Sequence, residues 1–340
     1  MPSAKPTALD VARHAGVSQP TVSRVFTPGM KVSPEMAAKV QLAARELGYR
    51  PNTLARSLIT GQSKTIGLIV AYLDNPFYTE ALEKLSRALK DRGYNLMVFM
   101  AANHAADVDG VVHDLLDHQV DGIIMASVSM SSALTDRLAA EGVPLILFNR
   151  GQDGNELSTV TSANVAGGRK VAEFLVAGGH QRIAHISGWL GSSTGRDRQA
   201  GFVAGLSDAG QTPFAVIDGL YTREAAAAAA RAMFSASTVP DAIFVGNDHM
   251  AFAVMEVLQG ELDLAIPDDV SVVGYDDVAM SAWPSFSLTT VRQPANRMVD
   301  AVVDQLLTQI GAPDSDTAKI EIDGPLILRN SAKKPKGWTT

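Results

Sequence analysis

The stretch Ala12-Arg13-His14-Ala15-Gly16-Val17-Ser18-Gln19-Pro20-Thr21-Val22-Ser23-Arg24-Val25 reads as two short helices joined by a tight turn. Upstream, Thr7 with Asp10 three residues later has the form of a capping box, with Asp in place of Glu. Leu9, Val11, Ala12 and Ala15 give the first helix an apolar face, and Gly16 stops it. Ser18 can cap the second helix, where Pro20 sits harmlessly in the first turn because no intrahelical partner is needed there. Val22, Val25 and Phe26 share a face that should turn inward. Gln19, Thr21, Ser23 and Arg24 are left outside, and short or planar hydrogen-bonding groups at a helix N-terminus suit a major groove.

Downstream, Thr27-Pro28-Gly29 is a loop. Ser33-Pro34-Glu35 opens a third helix that runs to Leu47 and closes at Gly48. Its apolar set of Met36, Val40, Ala43, Ala44 and Leu47 has helical spacing. A small three-helix bundle with a polar surface satisfies the same pattern. Charge adds a second observation. The 340-residue chain carries a net charge of −7, but residues 1–64 hold nine cationic and three acidic side chains, a net +6, which leaves −13 on the rest. A basic end on an acidic body points to nucleic acid at that end.

Hydrophobic residues make up 46% of the chain and charged residues 19%, the balance of a folding globular protein of about two or three units. There is no cysteine, so disulfides and cysteine metal sites are excluded. The first apolar stretch is broken by Asp10, Arg13 and His14, unlike a signal peptide. No run of about 18 apolar residues exists to span a membrane. The expectation is a cytoplasmic protein.

From Thr65 the pattern alternates between strands and helices. Ile66–Val70 is a continuous apolar run of the kind found in buried parallel strands. Phe77 to Arg92 is an amphipathic helix ending at Gly93. Strand-like runs recur at 96–99, 122–125, 145–148, 183–186, 215–217, 242–245 and 270–274, mostly with helical segments between. This predicts an α/β body of two lobes with parallel sheets, and a cleft at the strand C-termini.

The quoted N-terminal string resembles the headpiece of LacI-family regulators. Val32-Ser33-Pro34, Leu47-Gly48-Tyr49-Arg50-Pro51-Asn52 and Ala55-Arg56-Ser57-Leu58 follow in that family's order, with Thr27 departing from its usual Asn. In the body, Gly178–Ala184, Arg198-Gln199-Ala200-Gly201-Phe202, Asn247–Ala251 and Val272–Asp277 resemble the family's effector core, which is similar to periplasmic sugar-binding proteins. The resemblance implies a helix-turn-helix headpiece (1–50), a hinge helix and linker (51–64), and a core (65–330). One lobe of the core would be about 65–160 with 292–318 and the other about 161–291 with 319–330, followed by a polar tail, 331–340.

The function so implied is a DNA-binding regulator, not an enzyme, whose operator affinity is set by a sugar or sugar acid. Its partners would be a pseudo-palindromic DNA site and a second copy of the chain. Ser18, Gln19, Pro20, Thr21, Ser23 and Arg24 become candidate DNA contacts. So do Asn52, Ala55, Arg56 and Leu58 of a hinge too short to be stable alone, with Leu58 as a wedge that kinks the duplex. Candidate ligand contacts are Asp74, Asn75 and Phe77 after the first body strand, Asn149 after another, and Arg198 before a second-lobe helix. Tyr221, Asn247, Asp276 and Gln293 complete the set. Planar donors and acceptors with flat aromatic faces suit a sugar. Each has a structural alternative: Asn247 could cap the helix 248–259, Asp276 could cap a loop, and Arg198 could sit in an ordinary salt bridge.

No phosphate loop, metal-spaced histidines or nucleophile elbow appears, so no cofactor or metal is expected. The other reading that fits is a stand-alone sugar-binding protein or an enzyme on the same core. The last residues lack leucine heptads, which favours a dimer over a tetramer.

Overall fold

The computed structural model describes residues 5–27, 30–50, 61–101, 105–128, 132–152, 154 and 157–338, apart from the side chains of 105–107, 132–134, 136 and 139. It divides into two units, Met1–Ser63 and Lys64–Thr340. Among the described residues no helix is long and apolar enough to cross a membrane.

The first unit holds α1 (Ala8–Ala15), α2 (Gln19–Val25) and α3 (Pro34–Leu47). The capping box forms: Asp10 N–H donates to Thr7 Oγ1 at 3.3 Å while Thr7 N–H donates to Asp10 Oδ2 at 2.9 Å. Gly16 and Gly48 close α1 and α3 at φ 65°, a conformation that favours glycine. Ser18 differs from expectation. It stands at the N-cap with extended backbone but caps no N–H, and its hydroxyl lies 2.9 Å from that of Thr21. Val11, Ala12, Val22, Val40, Ala43 and Ala44 form the buried core, with Val25, Phe26 and Tyr49 packed around it. This small core fixes which face of α2 is inward and so which face is free.

The second unit contains two six-stranded sheets. The first joins β1 (Thr65–Val70), β2 (Asn95–Met100), β3 (Gly122–Ala126), β4 (Leu145–Phe148), β5 (Ser158–Ser162) and β11 (Lys319–Ile322) in the order β11-β5-β4-β3-β1-β2, all parallel. The second joins β6 (Ile183–Ser187), β7 (Val216–Asp218), β8 (Ala242–Val245), β9 (Ser271–Asp276), β10 (Thr289–Arg292) and β12 (Leu326–Ile327) in the order β12-β10-β9-β8-β6-β7. Only β12 is antiparallel there. Against the first sheet lie α4 (Pro76–Asp91), α5 (Ala105–Asp117), α6 (Ser132–Glu141) and α11 (Ala295–Gly311). Against the second lie α7 (Asn164–Ala177), α8 (Ser193–Asp208), α9 (Arg223–Phe234) and α10 (Asp248–Glu256). The interior strands β3, β4, β6, β8 and β9 are buried at every residue, as parallel strands covered on both faces must be.

Several boundaries depart from the sequence reading. The segment 319–330 was expected in the second lobe, but β11 pairs with β5 in the first sheet and only β12 joins the second. The expected polar tail is not free. Ser331 and Ala332 are buried, Ser331 Oγ donates to Val272 O at 2.6 Å, and Trp338 meets Phe174 edge-on at 5.3 Å. Arg198 lies inside α8, not before it. Helix α10 ends at Glu256 and passes into a π-turn, Val257–Glu261.

Helices α7 and α8 approach each other closely through glycines, and this contact carries Arg198 to the cleft. A Cβ on Gly201 would run into the Val165 carbonyl, and one on Gly168 into the Arg198 carbonyl. Backbone cannot yield there as a side-chain tip can. Gly201→Ala is therefore expected to destabilise the second unit by about 1–3 kcal/mol, read as a lower melting temperature. Gly110→Ala, at an exposed site of α5 with nothing nearby, should instead be neutral or stabilising by up to about 1 kcal/mol. Equal effects at the two sites would contradict the close-contact account.

Candidate functional site

The C-terminal ends of strands from both sheets deliver polar side chains into one cleft. β1 leads to Tyr72 and Asn75, β4 to Asn149 and Arg150, β8 to Asn247, and β9 ends on Asp276. Helix α8 adds Thr194 and Arg198, and the loop after β7 adds Tyr221. The space they leave between them is small, about 10 Å³. A larger cavity of about 320 Å³ lies beside it and shares Tyr72, Arg150 and Tyr221, with Asp74, Trp189, Leu220 and Thr222 as its other walls.

Arg198 is 2% exposed and anchors the inner cleft. Its Nε donates to Asn164 Oδ1 at 2.9 Å and its Nη1 to Gly246 O at 2.6 Å. The guanidinium stacks 3.7 Å above the Tyr275 ring and lies 3.6 Å from Asp276 Oδ1. The Asp276 carboxylate also accepts from Gln293 Nε2 at 2.6 Å and Asn75 Nδ2 at 3.4 Å. Burial pushes its carboxyl above the usual carboxylate range, and the Arg198 charge pulls it back.

Behind this pair, Asp248 accepts from Ser281 Oγ at 2.6 Å, Thr290 Oγ1 at 2.6 Å and Val278 N–H at 3.1 Å. Burial pushes its carboxyl far up, and the neighbouring Asp276 charge adds to the push. The folded chain therefore keeps a proton that the unfolded chain, with an ordinary value near ~3.9, has released. Its contribution to stability is full below that ordinary value and is lost as pH rises toward the raised one. Asp248→Asn removes the titration. The melting temperature of the variant minus that of wild type is expected to climb steadily between about pH 5 and 8. A flat difference would show that Asp248 is already ionised at pH 5.

Asn149 adopts φ 68°, and its Nδ2 donates to Tyr78 Oη at 2.8 Å while its Oδ1 is buried without a partner. Leu220 and Tyr221 are also left-handed, at φ 54° and 60°. Such strain persists where surrounding contacts hold it. Tyr221 Oη donates to Thr194 Oγ1 at 3.1 Å, and its ring covers Gly188, where a Cβ would collide with it.

Of the expected ligand residues, Asn75, Asn149, Arg198, Tyr221, Asn247 and Asp276 come together in the inner cleft. Asn75 and Asn247 also cap α4 and α10, accepting from Phe77 N–H at 3.0 Å and Met250 N–H at 2.9 Å. Asp74 stands at the mouth, its side chain 68% exposed and 3.7 Å from His249. Gln293 is buried and holds Asp276 without lining the cleft. Phe77 is a correction. It points into the core of the first lobe, stacked on Phe148 at 6.3 Å, because the apolar face of α4 includes it. Tyr72 and Tyr78 supply the aromatic faces in its place. These two, with Arg150, Thr194 and Trp189, were missed. Arg150 directly follows Asn149, so the strand-end rule that selected one selects both.

In the first unit, Ser18, Gln19, Pro20, Ser23 and Arg24 are exposed and Thr21 is half-buried, while Val22 of the same helix is buried. Asn52, Ala55, Arg56 and Leu58 lie outside the described residues.

Two family models match the chain. Residues 7–52 match "Bacterial regulatory proteins, lacI family", and residues 63–330 match "Periplasmic binding proteins and sugar binding domain of LacI family". The ribose operon repressor of Escherichia coli (strain K12) is 31% identical over 331 residues, covering 96% of this chain and 99% of that one. A transcriptional repressor PurR of Pasteurella multocida (strain Pm70) is 30% identical over 330 residues, covering 96% and 98%. Among solved structures, a lac repressor dimer bound to operator and the anti-inducer ONPF superposes with a TM-score of 0.86 at 29% identity, covering 96% of this chain and 99% of that one.

Proposed function

Because the chain belongs to the LacI family of bacterial regulatory proteins, we propose that it is a dimeric repressor whose hold on operator DNA is set by a small carbohydrate-derived ligand in its cleft. The observation that carries the ligand half is the Asn149 amide. Its buried Oδ1 has no partner, and it lines a cleft built of polar side chains. A buried unpartnered acceptor is costly unless something supplies a donor, and sugar hydroxyls are donors of the right size. The ribose operon repressor among its relatives supports the same class.

The DNA half rests on α2. Its outer side chains are short or planar hydrogen-bonding groups on a basic unit, suited to base edges and phosphates. The dimer reading is supported by β2, an edge strand that exposes Val98 (40%) and Met100 (52%) beside Leu82 and Leu96, with Glu83, Arg87 and Lys90 around them. An exposed edge of this kind calls for a cover, and a second copy provides one. Ligand affinity then differs between lobe arrangements, and that difference is the free energy available to alter DNA binding.

Selection of bound fragments from a randomised duplex pool is expected to enrich a two-fold symmetric sequence, as two related headpieces require. Enrichment of asymmetric sites only, or of none, would contradict the dimeric repressor.

A further inference from the structure

Arg150 is 7% exposed, yet among the described residues it makes no ion pair. Its Nη1 donates to Ser127 O at 3.1 Å and its Nη2 to Tyr72 Oη at 2.9 Å, both neutral acceptors, and its buried Nε has no partner. Arg198 lines the same inner cleft, and Asp276 is the one carboxylate among the residues that line it. That carboxylate lies 3.6 Å from Arg198 and already accepts from Gln293 and Asn75. Asp248, behind it, is tied to Ser281, Thr290 and Val278 and does not line the inner cleft. Asp74 at the mouth is largely in water beside His249. The inner cleft therefore holds two guanidinium groups against one carboxylate.

A buried cation without a counter-charge is strongly unfavourable, because desolvation is not offset by attraction. Guanidinium groups match carboxylate and phosphate oxygens in geometry as well as in charge. Arg150 also borders the cavity of about 320 Å³, whose other walls include Trp189, Leu220 and Tyr221. That volume is at the lower end of ligand pockets and admits a small molecule with one charged end and a less polar body. Asn149, next in the chain, is neutral, so among the described residues no acid on that strand end cancels Arg150.

We infer that the cleft ligand carries an anionic group, a carboxylate or a phosphate ester, and that Arg150 is the residue that selects it. This rests on the cleft being a carbohydrate site. The closing experiment separates the two ideas. Isothermal titration of the full chain is made with gluconate, glucuronate, galactarate and glucose phosphate, and with glucose, galactose and ribose as neutral references. The variants are Arg150→Gln, Arg150→Lys and Arg198→Ala, each checked for folding by circular dichroism.

An acid or phosphate ester is expected to bind on the order of 100-fold tighter than its neutral reference. Arg150→Gln should reduce that preference to below about tenfold, and Arg150→Lys should keep part of it, since charge survives but the planar fork does not. The carboxylate and phosphate arms show which group is read. A neutral sugar that binds as tightly as its acid, or a preference unchanged in Arg150→Gln, overturns the inference. If that neutral sugar loses affinity in Arg198→Ala, the carbohydrate cleft stands. If no sugar of either kind binds, both ideas fail.

Discussion

Arg198→Ala is expected to remove about 3–5 kcal/mol from the stability of the second unit in denaturant titrations and to weaken ligand binding by two orders of magnitude or more. The reason is what it leaves behind. Asp276 would lose the ion pair at 3.6 Å, Asn164 Oδ1 and Gly246 O would lose their donors, and the Tyr275 face would lose its cation. Removing one member of a buried pair costs more than removing both. The double variant Arg198→Ala/Asp276→Asn should therefore recover about half of the lost stability and none of the binding. Single and double variants of equal stability would show that Asp276 does not depend on Arg198.

Arg24→Ala tests the other end of the chain. The side chain is exposed on α2, so the headpiece should keep its melting behaviour to within about 0.5 kcal/mol. Operator affinity should fall by about 1–3 kcal/mol for each half-site, and a symmetric dimer suffers that loss twice. The salt dependence tells which atoms Arg24 meets. If it reads a base edge, the variant accepts other bases at that position and keeps its salt slope. If it meets phosphate, all sequences weaken alike and the slope falls by about one unit per half-site. Wild-type affinity for the operator in Arg24→Ala would remove α2 from the interface, and with it the main argument against a stand-alone ligand-binding protein.

What was legible from sequence divides along one physical line. Features settled within a few residues were readable: the Thr7–Asp10 box, the glycine stops at Gly16 and Gly48, and the apolar runs of β1, β3, β4, β6 and β8. Strands whose burial depends on distant partners were not. Ser-Thr-Val-Thr-Ser of β5 looks like loop until Ser158 Oγ accepts from Gln309 at 2.9 Å, and Thr-Thr-Val-Arg of β10 until Thr290 Oγ1 reaches Asp248 at 2.6 Å. The cleft shows the same division. Arg198, Asn247 and Asp276 follow from motif and strand ends. The exchange of Phe77 for Tyr78 turns on one residue step of α4, set by where Asn75 begins the helix. Arg150 was within reach of the strand-end rule, but nothing local reveals that it lacks a counter-charge.

The chain passes between the two lobes three times, after β5, after β10 and after β11, so neither lobe is one continuous stretch. This governs the order in which the protein is made. A ribosome finishes α1 to α3 first, and N-terminal units fold early during synthesis. The first lobe lacks its long closing helix until Gly311 has been made and its edge strand until Ile322, while the second waits for Ser331 to reach β9. A message cut short before Ile322 would thus yield a finished headpiece on a body with neither lobe complete. Regulation by the cleft is the last property the growing chain acquires, and the first that truncation removes.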